Sequence, residues 1–188
     1  PRVRYVGLFI KMWASNRGIK RSDSGTLSSY AWIILTIFWL QQIGMVPSLQ
    51  IKPYVDIERI KTKTKRGLET NKHKHGKSKG PMLEYEGHNI AFCSERGYFS
   101  SMWDDAKRQA VTYQTNLSEL VYGFFHFFAR IFQTRKRCAS IRLGKSIEKG
   151  EVYRNAKRWR LSIEDPFDLA HDLGSPISIA GQKAINEE

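Results

Sequence analysis

Residues 161–174 read Leu-Ser-Ile-Glu-Asp-Pro-Phe-Asp-Leu-Ala-His-Asp-Leu-Gly, and the way this stretch folds decides what the rest of the chain is organised around. A basic and apolar run from Lys157 to Ile163 has the character of a strand and delivers the chain to Glu164 and Asp165. Pro166 then lacks the N–H that further sheet pairing would need. Two continuations are open. In one, Asp165 caps a helix, Pro166 takes its first position and Asp168 answers the cap as a capping-box acid. In the other, Asp165, Asp168 and His171, evenly spaced at a helix start, turn their polar groups together into a cleft and read the edge of a base.

Upstream of this stretch the apolar spacing is mostly helical. Val6, Phe9, Ile10 and Trp13 form one stripe of an amphipathic helix over Arg2–Asn16, with Lys11 off that stripe. A second helix starts around Thr26 to Ser29, carries Leu27, Tyr30, Ile34 and Phe38 on one side, and ends near Gly44. Trp32, Ile33, Leu35, Ile37 and Trp39 fill its other sides, so protein should surround it. A third helix runs from a cap at Asn116 or Ser118 to about Phe132, its Leu117, Leu120, Val121, Phe124, Phe125, Phe128, Ile131 and Phe132 holding the 3.6-residue period. Strand-like runs at Cys138–Leu143 and Lys157–Ile163 predict a hairpin or small mixed sheet beside the helices. The expected class is therefore mainly α with a small β element, an α+β chain. Residues 1–50 and 82–188 form the helical domain, separated by a basic loop or insertion over 51–81.

The chain has 188 residues, 41% of them hydrophobic, which suffices for one sizeable core. Its 31 Lys and Arg against 18 Asp and Glu leave a net charge of +13, which favours acidic polymers, above all nucleic acid, as partners. Cys93 and Cys138 make no disulfide framework and point to a reducing intracellular setting. Neither cysteine has a second ligand at zinc spacing, and His73 and His75 sit in the basic loop, so no metal site is expected in the chain. The most apolar run, Tyr30 to Leu40, is too short to cross a bilayer and reads as a core helix, so no membrane partner is expected. The opening Pro1-Arg2-Val3-Arg4 has no Met and already looks helical, which reads as a fragment or a trimmed chain.

Between these helices Gly25-Thr26-Leu27-Ser28-Ser29-Tyr30 places a glycine and several hydroxyls before a helix. Free N–H groups and the positive end of the helix dipole could hold a phosphate there, and the same hydroxyls serve equally as ordinary caps. The ring of Tyr30 either stacks on a base or packs inward. The lysines and arginines of 51–81 either solvate a loop or grip phosphates.

Five ordered blocks carry a resemblance: Ile10-Lys11-Met12-Trp13-Ala14, Gly25 to Ala31, Gln41 to Gln50, Leu117 to Phe125, and Ile163-Glu164-Asp165-Pro166-Phe167. They resemble the family of non-canonical poly(A) polymerases and terminal uridylyltransferases, over most of the chain apart from the basic loop. The resemblance implies the helical central, poly(A)-polymerase-associated domain, one wall of a nucleotide cleft. It further implies that Lys11 and Ser29 bind the triphosphate, that Tyr30 stacks on the base, and that Asp165 and Asp168 lie at the base edge. His171 stands where a histidine favours UTP over ATP. The second lysine common among relatives is Ser15 here, so Arg17, Lys20 or Arg21 would supply that charge or contact RNA. Another departure is Ser175, followed by Pro176, where the motif usually carries a basic residue.

Uracil fits this arrangement chemically. Its N3–H donates to a carboxylate, whereas adenine N1 is an acceptor and leaves an acid unpaired. The implied partners are UTP, the 3′ end of single-stranded RNA and an RNA-processing complex; ATP use and an inactive RNA-binding scaffold are the alternatives. Family chemistry uses two magnesium ions held by three carboxylates. No such constellation is visible here, so these ligands, and the palm domain that carries them, are expected outside the chain. The high basicity is compatible with a mitochondrial RNA enzyme and favours that compartment over the cytoplasm.

Overall fold

The computed structural model describes residues 2–50, 84–85, 88–89, 92 and 115–188. Helix α1 spans Arg2–Asn16 and α2 spans Ser29–Gln42. Both end in the same way: Ile19 N–H reaches back to the Ala14 carbonyl at 3.0 Å and Met45 N–H to the Leu40 carbonyl at 2.8 Å. Gly18 and Gly44 supply the left-handed turns, at φ 69° and 72°, that let the chain fold over its last carbonyls. Ser28 starts α2 by accepting the Ala31 N–H at 3.1 Å.

The helix pair closes on apolar contacts from both. Val6, Ile10 and Ala14 of α1 meet a core that includes Ala31, Ile34, Leu35 and Phe38 of α2. Phe9, expected on the buried stripe, is exposed, and the buried positions are Val6, Gly7, Ile10 and Ala14. The face is therefore rotated towards small residues, which admit a neighbouring helix more closely than Phe9 would. Leu27 is buried as expected but precedes α2, and Tyr30 points to the surface instead of joining the stripe. The indoles need hydrogen-bond partners when buried and find them: Trp32 donates to the Ile19 carbonyl at 3.0 Å and Trp39 to the Leu120 carbonyl at 3.2 Å.

Helix α3, Leu117–His126, begins with a full capping box between Asn116 and Glu119. It then widens into a π turn over Phe127–Ile131, where the Phe132 N–H bonds the Phe127 carbonyl at 2.8 Å. The expected uninterrupted four-turn helix is thus broken. The wider turn aligns positions five apart, so that Phe127 and Phe132 both reach Phe38, with ring centroids at 6.1 and 5.8 Å.

A short hairpin pairs β1 (Glu84–Tyr85) with β2 (His88–Asn89). The main sheet has the order β4-β3-β5, with β3 (Arg137–Ser140) antiparallel to β4 (Lys145–Glu148) and parallel to β5 (Ser162–Ile163). The short helix α4, Lys149–Val152, follows β4. The strand expected over Lys157–Ile163 shrinks to its last two residues because other partners take its backbone groups. Buried Lys149 donates to the Arg160 carbonyl at 2.5 Å and to Thr134 at 2.6 Å, while Leu161 N–H goes to the Gln182 side chain at 2.7 Å. The Gln41 amide ties the end of α2 to this sheet through the Ile141 carbonyl at 2.9 Å.

No helix starts at Asp165. The Asp165 carboxylate does accept the N–H groups of Phe167 and Asp168, at 3.0 and 3.3 Å, as a cap would. Asp168 instead accepts from Ala170 at 3.1 Å, and the Asp165 N–H bonds the His171 carbonyl at 3.2 Å. These bonds close a loop, and a bridge between Glu164 and Asp172 zips its base. The last helix, α5, comes later, at Ile179–Glu187, capped by Ser178.

Among the described residues no helix is long and apolar enough to cross a membrane. The basic loop of 51–81 and Cys93 lie outside the described residues. Phe92 is exposed.

Candidate functional site

Tyr30 sits in the first turn of α2, and the loop from Glu164 to Asp172 comes up against it. The Tyr30 hydroxyl lies close enough to the Asp165 carboxylate to feel its charge. Burial, followed by the negative charge and acceptor oxygens of Asp165, pushes the phenol up to about 12, so it stays protonated at neutral pH. Asp165 Oδ2 faces His171 Nδ1 at 3.6 Å, while its Oδ1 takes the loop N–H groups. An aromatic ring, a carboxylate and an imidazole, distant in sequence, are thereby brought to one place. Tyr30 stays 40% exposed, and the His171 side chain is also open to solvent, so the group forms an open wall.

Asp168 lies on the same loop, its carboxylate engaged with the Ala170 N–H. Lys11 in the second half of α1 and Ser29 at the start of α2 sit towards the end of the helix pair joined by residues 17–28, where Trp13 and Trp32 touch with centroids 5.5 Å apart. Lys11 is exposed and makes no hydrogen bond or ion pair among the described residues. Of the accessory cations, Arg17 pairs with Glu188 at 3.1 Å and Arg21 with Asp23 at 2.9 Å, while Lys20 is half-buried. The Gly25 carbonyl accepts the Ser178 N–H at 2.9 Å, so the turn before α2 is also a docking point for α5.

Several residues that shape the site were given no role by the sequence, although Glu164 lies in one of its motif blocks. Glu164, 2% exposed, accepts from the Ser140 hydroxyl and from Arg142 at 2.7 Å. Asp172 accepts from Ile163 N–H at 3.0 Å, Gly174 N–H at 2.9 Å, the Ser162 hydroxyl at 2.9 Å and Arg160 at 3.4 Å. For Glu164 a further sequence signal is the doubled acid Glu164-Asp165: next to each other on extended chain, one points in and the other out.

A cavity of about 1110 Å³, lined by aromatic residues such as Trp13, Trp32 and Trp159 and by polar ones such as Arg135, Lys136 and Gln182, contains none of Tyr30, Asp165 or His171 and is separate from their convergence. Among the described residues no group of three or more His, Cys, Asp or Glu side chains is placed to hold a metal ion. The described side chains do not fit a magnesium centre.

Residues 116–171 match the family model for Cid1 family poly A polymerase, a span that runs from the cap of α3 through His171. Over 95% of its length the chain is 28% identical to terminal uridylyltransferase 4 of Mus musculus, of which it covers 9%. It is also 28% identical, over 89% of its length, to the poly(A) RNA polymerase GLD2-A of Xenopus laevis, of which it covers 26%. The fold matches a cytoplasmic RNA terminal U-transferase at a TM-score of 0.65 and 23% identity, covering 99% of this chain and 49% of that one. It matches Cid1 in complex with the UTP analogue UMPNPP at a TM-score of 0.64 and 23% identity, with 99% and 50% covered.

The chain is thus similar in sequence, and in fold, to RNA nucleotidyltransferases. More particularly, the match to the Cid1 family poly A polymerase model is carried by residues 116–171, and the chain spans at most about half of the relatives and solved chains named above.

Proposed function

We propose that this chain is the nucleotide- and RNA-binding half of an RNA terminal uridylyltransferase, which adds UMP from UTP to RNA 3′ ends. The convergence of Tyr30, Asp165 and His171 carries this reading. A uracil ring lies on the Tyr30 face, and its N3–H donates to Asp165 directly or through a water. A carboxylate has about four acceptor positions, enough to serve its loop, Tyr30 and a base together. His171 narrows the site against a purine, and Asp168 lies at the same edge. Lys11 and Ser29 take the triphosphate, with RNA phosphates near Arg17, Lys20 and Arg21. Magnesium acts through carboxylates outside this chain, on a palm domain that forms the opposite wall. An intracellular site of action, the mitochondrion before the cytoplasm, is in keeping with the charge of +13.

The similarity to a poly(A) RNA polymerase supports a second reading, ATP as the nucleotide. One experiment separates the two: extension of a short RNA by the complete enzyme with magnesium and each nucleotide in turn, for the wild type and His171→Ala. Selective use of UTP, falling by about ten-fold or more in the variant, is expected. Preference for ATP would overturn the uridylyl assignment, and selectivity indifferent to the substitution would remove His171 from base selection. No extension with the palm carboxylates intact would favour an inactive RNA-binding scaffold.

A further inference from the structure

The loop bearing Asp165 and His171 is fixed at its base by Glu164 and Asp172, each paired with an arginine, but two further hydrogen bonds hold its rim. The Gln50 amide donates to the Pro166 carbonyl at 3.2 Å. The Tyr153 hydroxyl, arriving from the end of α4, donates to the His171 carbonyl at 3.0 Å. That carbonyl also accepts the Asp165 N–H at 3.2 Å, so two donors from different directions fix one peptide plane. Among the described residues the His171 imidazole has Asp165 as its ionic neighbour and is otherwise open. The place of the ring is therefore set through its backbone.

We propose that Tyr153 is a positioning residue for base selection, holding the His171 backbone so that the imidazole stands at the base edge. The proposal rests on the reading of His171 as the base-selecting group. Tyr153 touches no substrate and acts through one hydrogen bond. Burial, then the negative groups around it, including Asp172, Glu164 and Asp165, raises its phenol above the ordinary range, so the hydroxyl stays protonated and donating.

The test is Tyr153→Phe in the complete enzyme, which keeps the ring and removes only the donor. KM for UTP is expected to rise roughly 3- to 10-fold with kcat much less affected, and the preference for UTP over ATP to fall by a similar factor, the consequence of one lost net hydrogen bond. In the His171→Ala background the same substitution should change selectivity no further, because its route to the base is gone. Equal losses for both nucleotides, or unchanged selectivity while His171→Ala loses it, would overturn the proposal. Should His171→Ala itself leave selectivity intact, the reading of His171 as the base-selecting group fails instead. The NMR signals of the His171 ring then decide on positioning alone: a shift in Tyr153→Phe supports it, and an unmoved signal rejects it.

Discussion

Phe38 and Glu164 are both essentially inaccessible to water, at 0% and 2% exposure, but they are surrounded differently. Around Phe38 lie the rings of Phe127, Phe128 and Phe132, with centroids 5.8 to 6.4 Å away, and the contacts are numerous, weak and nearly directionless. Around Glu164 lie a serine hydroxyl and a guanidinium, each at a fixed angle, and little else would compensate the charge. The helical region depends on filled volume, whereas the loop depends on matched donors and acceptors. A base-reading wall benefits from the second kind of order, because hydrogen bonds fix direction and apolar packing does not.

The largest effect should come from emptying the apolar side. Phe38→Ala removes a ring at the meeting point of α2 and α3 and is expected to cost about 3–5 kcal/mol, read from the urea midpoint. That is a large share of the stability of an ordinary domain. Glu164→Gln changes almost no volume but leaves Arg142 without its counter-charge. About 1–3 kcal/mol is expected, since the Arg142 side chain remains 28% exposed and water screens it in part. The helices should keep their far-UV signal while amide exchange rises across 164–172. If Glu164→Gln instead loosened α1 and α2 as much as Phe38→Ala does, the two regions would be one cooperative unit and the contrast would fail.

The same difference explains what the sequence could show. Helices α1 and α3 announce themselves because their apolar residues follow a period of 3.6 residues, α2 because it is apolar on all sides, and the start of α3 by its local cap, Asn116 with Glu119. Even so, burial of Ala14 in place of Phe9 depends on how closely α2 approaches. The sequence at Asp165 suits a helix start and a loop equally, because the capping bonds of Asp165 are the same in both. What redirects the chain is the parallel pairing of Ile163 with Ala139 and the pull of Asp172 on Ile163, and no local pattern encodes either. Tyr30, Asp165 and His171 could be named from their motifs. Tyr153 and Arg142 could not, since a tyrosine after a four-residue helix and an arginine in a turn carry no spacing signal.

Tyr30 belongs to both regions, its backbone in α2 and its hydroxyl at the loop, and its titration gives the finest probe of the boundary. The unfolded phenol loses its proton near pH 10 and the folded one near 12. Between these values the unfolded chain binds fewer protons than the folded one, so the stabilisation is whole below pH 10 and disappears as pH rises through 12. Absorbance at 295 nm, with Tyr30→Phe as the blank, should therefore show a late-titrating phenol. Asp165→Asn should lower that midpoint without returning it to 10, because burial is the larger cause and the charge of Asp165 the smaller. A full return to 10 would mean that the loop alone shields Tyr30, moving the boundary onto α2. No movement would mean that the hydroxyl does not sense Asp165, and that the aromatic face and the carboxylate edge of the site are set independently.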